Sequence, residues 1–340
     1  MNYREAFETG KGALAAAGIE EAELDARLLL EEICGTDRNT LLVHGDRNVT
    51  EEELAQYKEM LEKRSAHIPL QQIIGRQSFM GLDFYVDENV LIPRQDTELL
   101  VEEALQELHD GMRILDMCTG SGCILLSLLK YSNDCEGIGA DISEEALKVA
   151  ERNRVQLGLE NAAFIRSDLF EAVEGKFDLL VSNPPYICSD VIDTLMPEVR
   201  EHEPRQALDG SADGLHFYRR ILAECRAYLK PGGMLLFEIG YDQGEAVKRL
   251  MEENGAQDEE LFRSGLEHIQ HESTRLHRMV TQLLEMSNID RDDVFEPVNL
   301  GSIAEQVADA MALKARRYDD TIRMWCSGRP VIQGKEERIR

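Results

Sequence analysis

Short apolar runs alternate with longer amphipathic stretches from about residue 111 to residue 239, and this alternation restricts the fold more than any other feature. Arg113-Ile114-Leu115-Asp116 reads as a strand and Cys123 to Lys130 as an apolar helix. Gly137 to Asp141 and Ala163-Phe164-Ile165 read as the second and third strands, separated by a helix over Glu144 to Leu157. Leu179-Leu180-Val181-Ser182 is the fourth strand and Met234 to Ile239 the fifth. Between them lies a helix from Phe217 to Leu229, stopped by Pro231-Gly232-Gly233. Strands that alternate with helices predict an α/β fold, a mostly parallel sheet covered on both faces.

The flanks read differently. Residues 1–70 form a small helical domain, with Leu24, Leu28, Ile33, Leu41 and Leu42 spaced for helix faces. Thr50 followed by Glu51, Glu52 and Glu53 is a capping box that opens a helix through Leu61. In the linker, 71–110, Gln71 to Gly75 and Phe79 to Val86 predict short strands closed by Gly81. The sheet domain spans 111–254. From 255 to 340 the alternation stops, and Leu261 to Ser287 reads as one long amphipathic helix. Ile269, Leu276 and Leu283 recur every seven residues, with Met279 and Met286 as a second track, so a homodimer through 261–287 is an expectation.

Charge and cysteine usage narrow the function. Lys+Arg 37 against Asp+Glu 65 gives a formal charge of −28, which argues against a nonspecific grip on nucleic acid. The seven cysteines contain no C-x-x-C pair and read as reduced thiols of a cytoplasmic chain, not as a disulfide frame or zinc site. The start, MNYREAFETG, predicts no signal peptide, and no run approaches the ~18 apolar residues of a membrane span.

The chemistry-bearing residues fall at the predicted strand ends. Asp116-Met117-Cys118-Thr119-Gly120-Ser121-Gly122 follows the first strand, where glycine lets backbone approach a ligand. The phosphate-loop pattern fails because no Gly-Lys-Ser/Thr follows, and the dinucleotide fingerprint fails for want of a third glycine. Asp116, Asp141 and Asp168 fall at or just past three successive strands. Asp141 is placed for a vicinal ribose diol, Asp168 for the exocyclic amine of an adenine, and Asp116 for the cationic end of a ligand. Asn183-Pro184-Pro185-Tyr186 follows the fourth strand. An Asn oxygen and the carbonyl of the first Pro suit the two N–H groups of a planar NH2, and the Tyr face suits stacking on it. That slot would act by positioning. The joint pattern is that of an S-adenosylmethionine site.

Over residues 1 to about 254 the chain resembles the PrmC/HemK class of protein-glutamine N5-methyltransferases, which modify the GGQ loop of peptide chain release factors. Leu91-Ile92-Pro93-Arg94-Gln95-Asp96-Thr97-Glu98 resembles the PR-x-DTE signature of that class. Asp116 to Gly122 matches its cofactor loop, Asn183 to Tyr186 its NPPY, and Glu203 to Leu208 with Gly210 and Asp213-Gly214-Leu215 the segment beyond. The resemblance implies a class I S-adenosylmethionine-dependent methyltransferase, Rossmann-like, with an N-terminal helical domain that docks the release factor. It implies that Cys118, Thr119, Gly120, Ser121 and Gly122 line the methionine part of the cofactor. Asp141 then takes the ribose, Asp168 and Leu169 border the adenine, and Asn183, Pro184, Pro185 and Tyr186 hold the target amide. Arg94, Asp96 and Glu98 brace the wall. Cys118 departs from the glycine common in the class, and Gln72 from an aromatic.

The same resemblance implies a sheet domain lacking its last two strands. From about 256 to 340 the chain instead resembles part of a sensor histidine kinase: Ile269 to Ser287 its second dimerisation helix, and Phe295 to Leu300 the entry to its ATP-binding domain. No His-Glu-x-Arg-Thr-Pro box occurs, so kinase activity is not expected. Two strand-like runs, Thr321 to Cys326 and Pro330 to Gln333, are candidates to cap an open sheet edge. The competing functions are an adenine-N6 methyltransferase of nucleic acid, using the same NPPY slot, and a non-catalytic dimerisation fragment.

Overall fold

The computed structural model describes residues 1–254 and two short strands at 296–299 and 331–334. The chain divides into two compact units, Met1–His271 and Glu272–Arg340.

Local capping starts the helical part of the first unit. Asn2 and Glu5 form a capping box at α1 (Tyr3–Ala16), and Thr50 and Glu53 form the one predicted at α4 (Glu51–Ser65). Between them run α2 (Ala22–Cys34) and α3 (Arg38–Val43). Tyr3, Leu14, Leu29, Leu30 and Tyr57 make the core of this part. The strand expected at Gln71–Ile74 is instead a short helix, α5 (Leu70–Ile74), in which Ile73 N–H donates to the Pro69 carbonyl. Leu70, Ile73 and Ile74 stand at i, i+3 and i+4 and all pack against the helical core, so the helical period overrides the local β preference.

A hairpin of β1 (Gln77–Phe79) and β2 (Leu82–Phe84) turns through Met80 and Gly81, both left-handed, the geometry that matches strand twist. After α6 (Asp96–Glu107) the expected alternation follows: β3 (Arg113–Met117), α7 (Cys123–Tyr131), β4 (Glu136–Asp141), α8 (Glu144–Leu157), β5 (Ala162–Arg166) and β6 (Phe177–Ser182). Then come two short helices, α9 (Pro197–His202) and α10 (Arg205–Leu208), followed by α11 (His216–Tyr228), β7 (Leu229–Phe237) and α12 (Gly244–Glu253). Strand order is β5-β4-β3-β6-β7 and every pair is parallel. The chain starts at the centre, winds to one side and returns past β3 to the other, so the order reverses between β3 and β6. β7 begins before Pro231-Gly232-Gly233, not after it. The pairing with β6 shifts register there, from Phe177↔Leu229 to Leu179↔Met234, which takes up the turn residues as a bulge.

Alternation along the strands divides the core into two. Ile114, Leu179, Val181 and Leu236 face a layer that includes residues of α6 and α7. Leu115, Leu180, Leu235 and Phe237 face residues of α11 and α12. In the second unit β8 (Glu296–Asn299) pairs antiparallel with β9 (Val331–Gly334) as a two-stranded sheet. Thr321 to Cys326 and the helix expected over 261–287 lie outside the described residues. Among the described residues, no helix is long and apolar enough to cross a membrane.

A buried ion cluster ties α4 to the segment after β6. Arg64 Nε meets Asp25 Oδ2 at 2.7 Å and its Nη2 meets Glu198 Oε1 of α9 at 3.0 Å. All three side chains are largely buried. Nearby, Gln72 Nε2 donates to the His202 carbonyl at 2.9 Å. Arg64→Ala would leave Asp25 and Glu198 without the guanidinium they share, with only the His67 ring, 3.5 Å from Glu198, nearby. The expected loss is about 3 kcal/mol or more of unfolding free energy, read by urea denaturation of the full chain. A loss under about 1 kcal/mol, as for a surface pair, would contradict this account.

Candidate active site

The ends of β3, β4 and β6 converge where strand order reverses, the usual ligand crevice of an open parallel sheet. Asp116 in β3 is completely buried. Its Oδ2 accepts from Thr119 Oγ1 at 2.5 Å and Leu125 N–H at 3.3 Å, while Oδ1 is buried with no hydrogen-bond partner. The loop that turns around it is wound left-handed at Cys118, Gly120 and Gly122. A side chain at Gly120 would meet no atom within 4 Å, so the loop presents an open backbone face. Thr119 N–H donates to the Ala140 carbonyl at 3.1 Å, and Ser182 Oγ donates to the Met117 carbonyl at 2.7 Å, fastening the loop to both flanking strands. Cys118 and Ser121 complete it, and burial pushes the Cys118 thiol well above its ordinary range.

Asp141 ends β4 across from this loop. One oxygen takes the Gly120 N–H at 2.9 Å and the other the Ser143 N–H at 2.9 Å. Burial raises its carboxyl, and these N–H donors counter the shift. Asp168 follows β5, with Oδ1 paired to Arg220 at 2.9 Å, and Leu169 beside it is buried in a left-handed conformation. Three acids thus reach the same end of the sheet, and burial raises the carboxyls of Asp116 and Asp141.

Past β6, Pro184 and Pro185 are buried and Asn183 and Tyr186 half-buried. Asn183 Nδ2 faces Thr97 Oγ1 of α6 at 3.4 Å, which leaves its oxygen for another donor. The Tyr186 carbonyl accepts Gln243 Nε2 at 3.0 Å. Gly210 and Gly214 press on the same main chain: a side chain at Gly210 would lie 2.7 Å from Tyr186 Cα, and one at Gly214 2.3 Å from its carbonyl oxygen. Arg94 Nη2 holds Glu203 Oε1 at 2.6 Å, and Glu98 accepts the Met80 N–H at 2.6 Å.

Three participants escaped sequence reasoning. Thr97 supports Asn183 from within the PR-x-DTE segment. Asn153 of α8 is fully buried; it donates to the Ser121 and Tyr85 carbonyls and accepts the Tyr85 N–H, joining the glycine loop to the hairpin. Glu238, one residue past β7, takes the Tyr186 hydroxyl at 3.5 Å. Its signal was a charged residue ending the apolar run Met234 to Phe237, but only the register of β7 against β6 places it beside Asn183.

Burial lifts the Asp116 carboxyl to about 7. From the ordinary carboxylate range near ~4 up to about 7, the folded chain keeps a proton that the unfolded chain has lost. This group therefore lowers stability as pH rises through that window. Asp116→Asn retains an oxygen for Thr119 and Leu125. Urea denaturation at about pH 5 and about pH 8 is expected to show a larger fall for the unmutated chain than for the variant, in which Asp141, Glu203 and Glu238 still contribute. Parallel stability–pH curves would contradict the assignment.

Comparison with known proteins agrees with this geometry. Residues 5–75 match the PrmC N-terminal domain and residues 108–292 a methyltransferase domain. The chain is 43% identical over 253 residues to the release factor glutamine methyltransferase of Geobacter sulfurreducens, covering 74% of this chain and 89% of that protein. It is 44% identical over 255 residues to that of Caulobacter vibrioides, covering 74% and 88%. With that of Clostridium acetobutylicum the identity is 43% over 261 residues, covering 75% and 92%. A helical part, a glycine loop over a buried aspartate and an Asn-Pro-Pro-Tyr slot occur here in a chain matching nearly the full length of these enzymes, and the chain belongs to the release factor glutamine methyltransferase family.

Proposed function

We propose that this chain methylates the side-chain amide of the glutamine in the GGQ loop of a peptide chain release factor, with S-adenosylmethionine as the donor. The observation that carries the reading is one sheet end with two complementary halves: an open glycine loop among carboxylates at β3 and β4, and Asn183 with a spare oxygen at β6. The fit of the cofactor rests on the same features. Asp116 Oδ1 is a buried acceptor without a donor, and the backbone face over Gly120 is open. S-adenosylmethionine supplies a methyl group on a sulfonium, an electrophile that needs no activation by the protein.

The residues then divide the work. Cys118, Thr119, Gly120, Ser121 and Gly122 line the methionine part, with Asp116 beneath them. Asp141 keeps about two of its four lone-pair positions for the ribose hydroxyls once Gly120 and Ser143 are counted. Asp168 and Leu169 border the adenine, and Ile142, an exposed apolar side chain beside Asp141, offers a second surface. Asn183 Oδ1 and the Pro184 carbonyl accept the two N–H bonds of the amide, while Pro185 and Tyr186 shape its slot. Held so, the amide nitrogen presents its weak lone pair to the methyl carbon, and catalysis is chiefly orientation. Residues 1–70 dock the release factor, 71–110 connect, and 111–254 carry the chemistry.

For the remainder, 255–340, we infer a kinase-like fragment without catalysis, supported by the run Ile269 to Ser287 and by the absence of a phosphoacceptor box from the sequence. A homodimer through 261–287 belongs to the same reading.

Calorimetry with S-adenosylmethionine tests the first half. Asp141→Ala is expected to weaken binding at least ~100-fold, the value of two good hydrogen bonds to a charged group. Asn183→Ala tests the second half, using incorporation of labelled methyl into a release factor. Cofactor binding should persist while turnover falls ~100-fold or more through lost orientation. Cofactor binding unaffected by Asp141→Ala, or full turnover in Asn183→Ala, would overturn the assignment of that half.

A further inference from the structure

Glu238 is held more firmly than a surface acid requires. Ser182 and Phe237 are register partners, so Asn183 and Glu238 are the next residues of two adjacent strands, side by side at the sheet end. The Glu238 N–H donates to the Ser182 carbonyl at 3.0 Å, and its carbonyl accepts the Tyr218 hydroxyl at 2.9 Å. Both backbone groups are therefore fixed. The carboxylate leans into the slot, where Tyr186 Oη reaches Oε1 and Thr97 and Asn183 favour its charged form. Oε2 is buried without a hydrogen-bond partner. A buried, unpartnered acceptor is costly unless the working complex supplies a donor.

We propose that Glu238 is a positioning and specificity residue of the slot: its carboxylate holds Asn183 and Tyr186 in place and makes the slot accept a neutral amide while rejecting a carboxylate side chain. The inference rests on the amide-methylation reading and extends it to a residue outside the Asn-Pro-Pro-Tyr segment. Orientation follows from donor economy. With Thr97 and Glu238 drawing on the Asn183 NH2 group, the Asn183 oxygen is left to face the substrate. Discrimination follows from charge. A glutamate in place of the target glutamine would bring a second carboxylate beside a buried one, without the N–H donors that Asn183 Oδ1 and the Pro184 carbonyl accept.

A pH signature accompanies this role. Burial raises the Glu238 carboxyl above its ordinary range, and Asp96 raises it further, while Thr97, Asn183 and Tyr186 counter the shift. Tyr218 from α11 and Cys123 from α7 also face it and are neutral at ordinary pH. The ionised form is the one that holds the slot, so activity should fall as pH drops through the raised pKa. Asp116 and Asp141 also titrate high and leave an acid limb of their own. The diagnostic is thus the difference between proteins.

The experiment compares the full chain with Glu238→Gln, which keeps the shape, and Glu238→Asp, which keeps the charge. Methyl transfer to a release factor is followed from about pH 5.5 to 8.5, with S-adenosylmethionine binding measured alongside. Glu238→Gln is expected to keep cofactor affinity within about 2-fold and to lose ~10-fold or more in kcat/KM for the release factor. Its acid limb should shift to lower pH, and Glu238→Asp should recover part of the loss. A release factor carrying glutamate at the target position should inhibit Glu238→Gln more strongly than the unmutated chain. Unchanged kinetics and an unchanged pH profile in Glu238→Gln would overturn the inference alone. No transfer by the unmutated chain, despite cofactor binding, would overturn the amide-methylation reading and the inference with it.

Discussion

A carboxylate with no solvent exposure lies in the central strand, and the loop above it is arranged to satisfy it. Asp116 cannot be left bare in the sheet, because a buried polar group without hydrogen bonds is costly whether it carries its proton or not. Thr119 and the first turn of α7 each supply a donor to one oxygen, and the left-handed path of Cys118 to Gly122 is what brings those donors round. The same path opens the backbone above Gly120 and sends one N–H to Asp141. The open glycine loop, its contact with Asp141 and the helix entry thus follow from one buried group between β4 and β6.

Much of this was legible in the residues. The capping box at Thr50, the strand run Ile114 to Asp116 and the break at Cys118 to Gly122 are local signals with local causes, and they fall where expected. What escaped has non-local causes. Leu70, Ile73 and Ile74 form a helix because three apolar groups at helical spacing meet an apolar core, which a five-residue window cannot reveal. β7 starts early because its register slips against β6 at Pro231-Gly232-Gly233. Asn153, Thr97 and Glu238 were invisible for a related reason. Their roles depend on which backbone or side chain lies opposite, information carried by strand register and helix packing alone.

The slot after β6 is built with unusual reliance on main chain. Gly210 and Gly214 approach the Tyr186 backbone too closely for any side chain, and Gln243 holds its carbonyl. Ile187 exchanges backbone hydrogen bonds with Leu208 and Gly210. A slot shaped by backbone contacts tolerates side-chain variation around it while keeping its width, which suits the proposed orientation of a weak nucleophile.

Arg64 has a consequence of another kind. Its guanidinium is shared by a carboxylate of the helical part and a carboxylate on the segment that leaves the slot, and both are buried. Such a joint behaves as a fixed caliper: the reach from the helical surface to the Asn183 oxygen is set when the chain folds, before any partner arrives. On the proposed docking of a release factor on residues 1–70, a loop presented at the wrong depth would then fail by length, whatever its sequence.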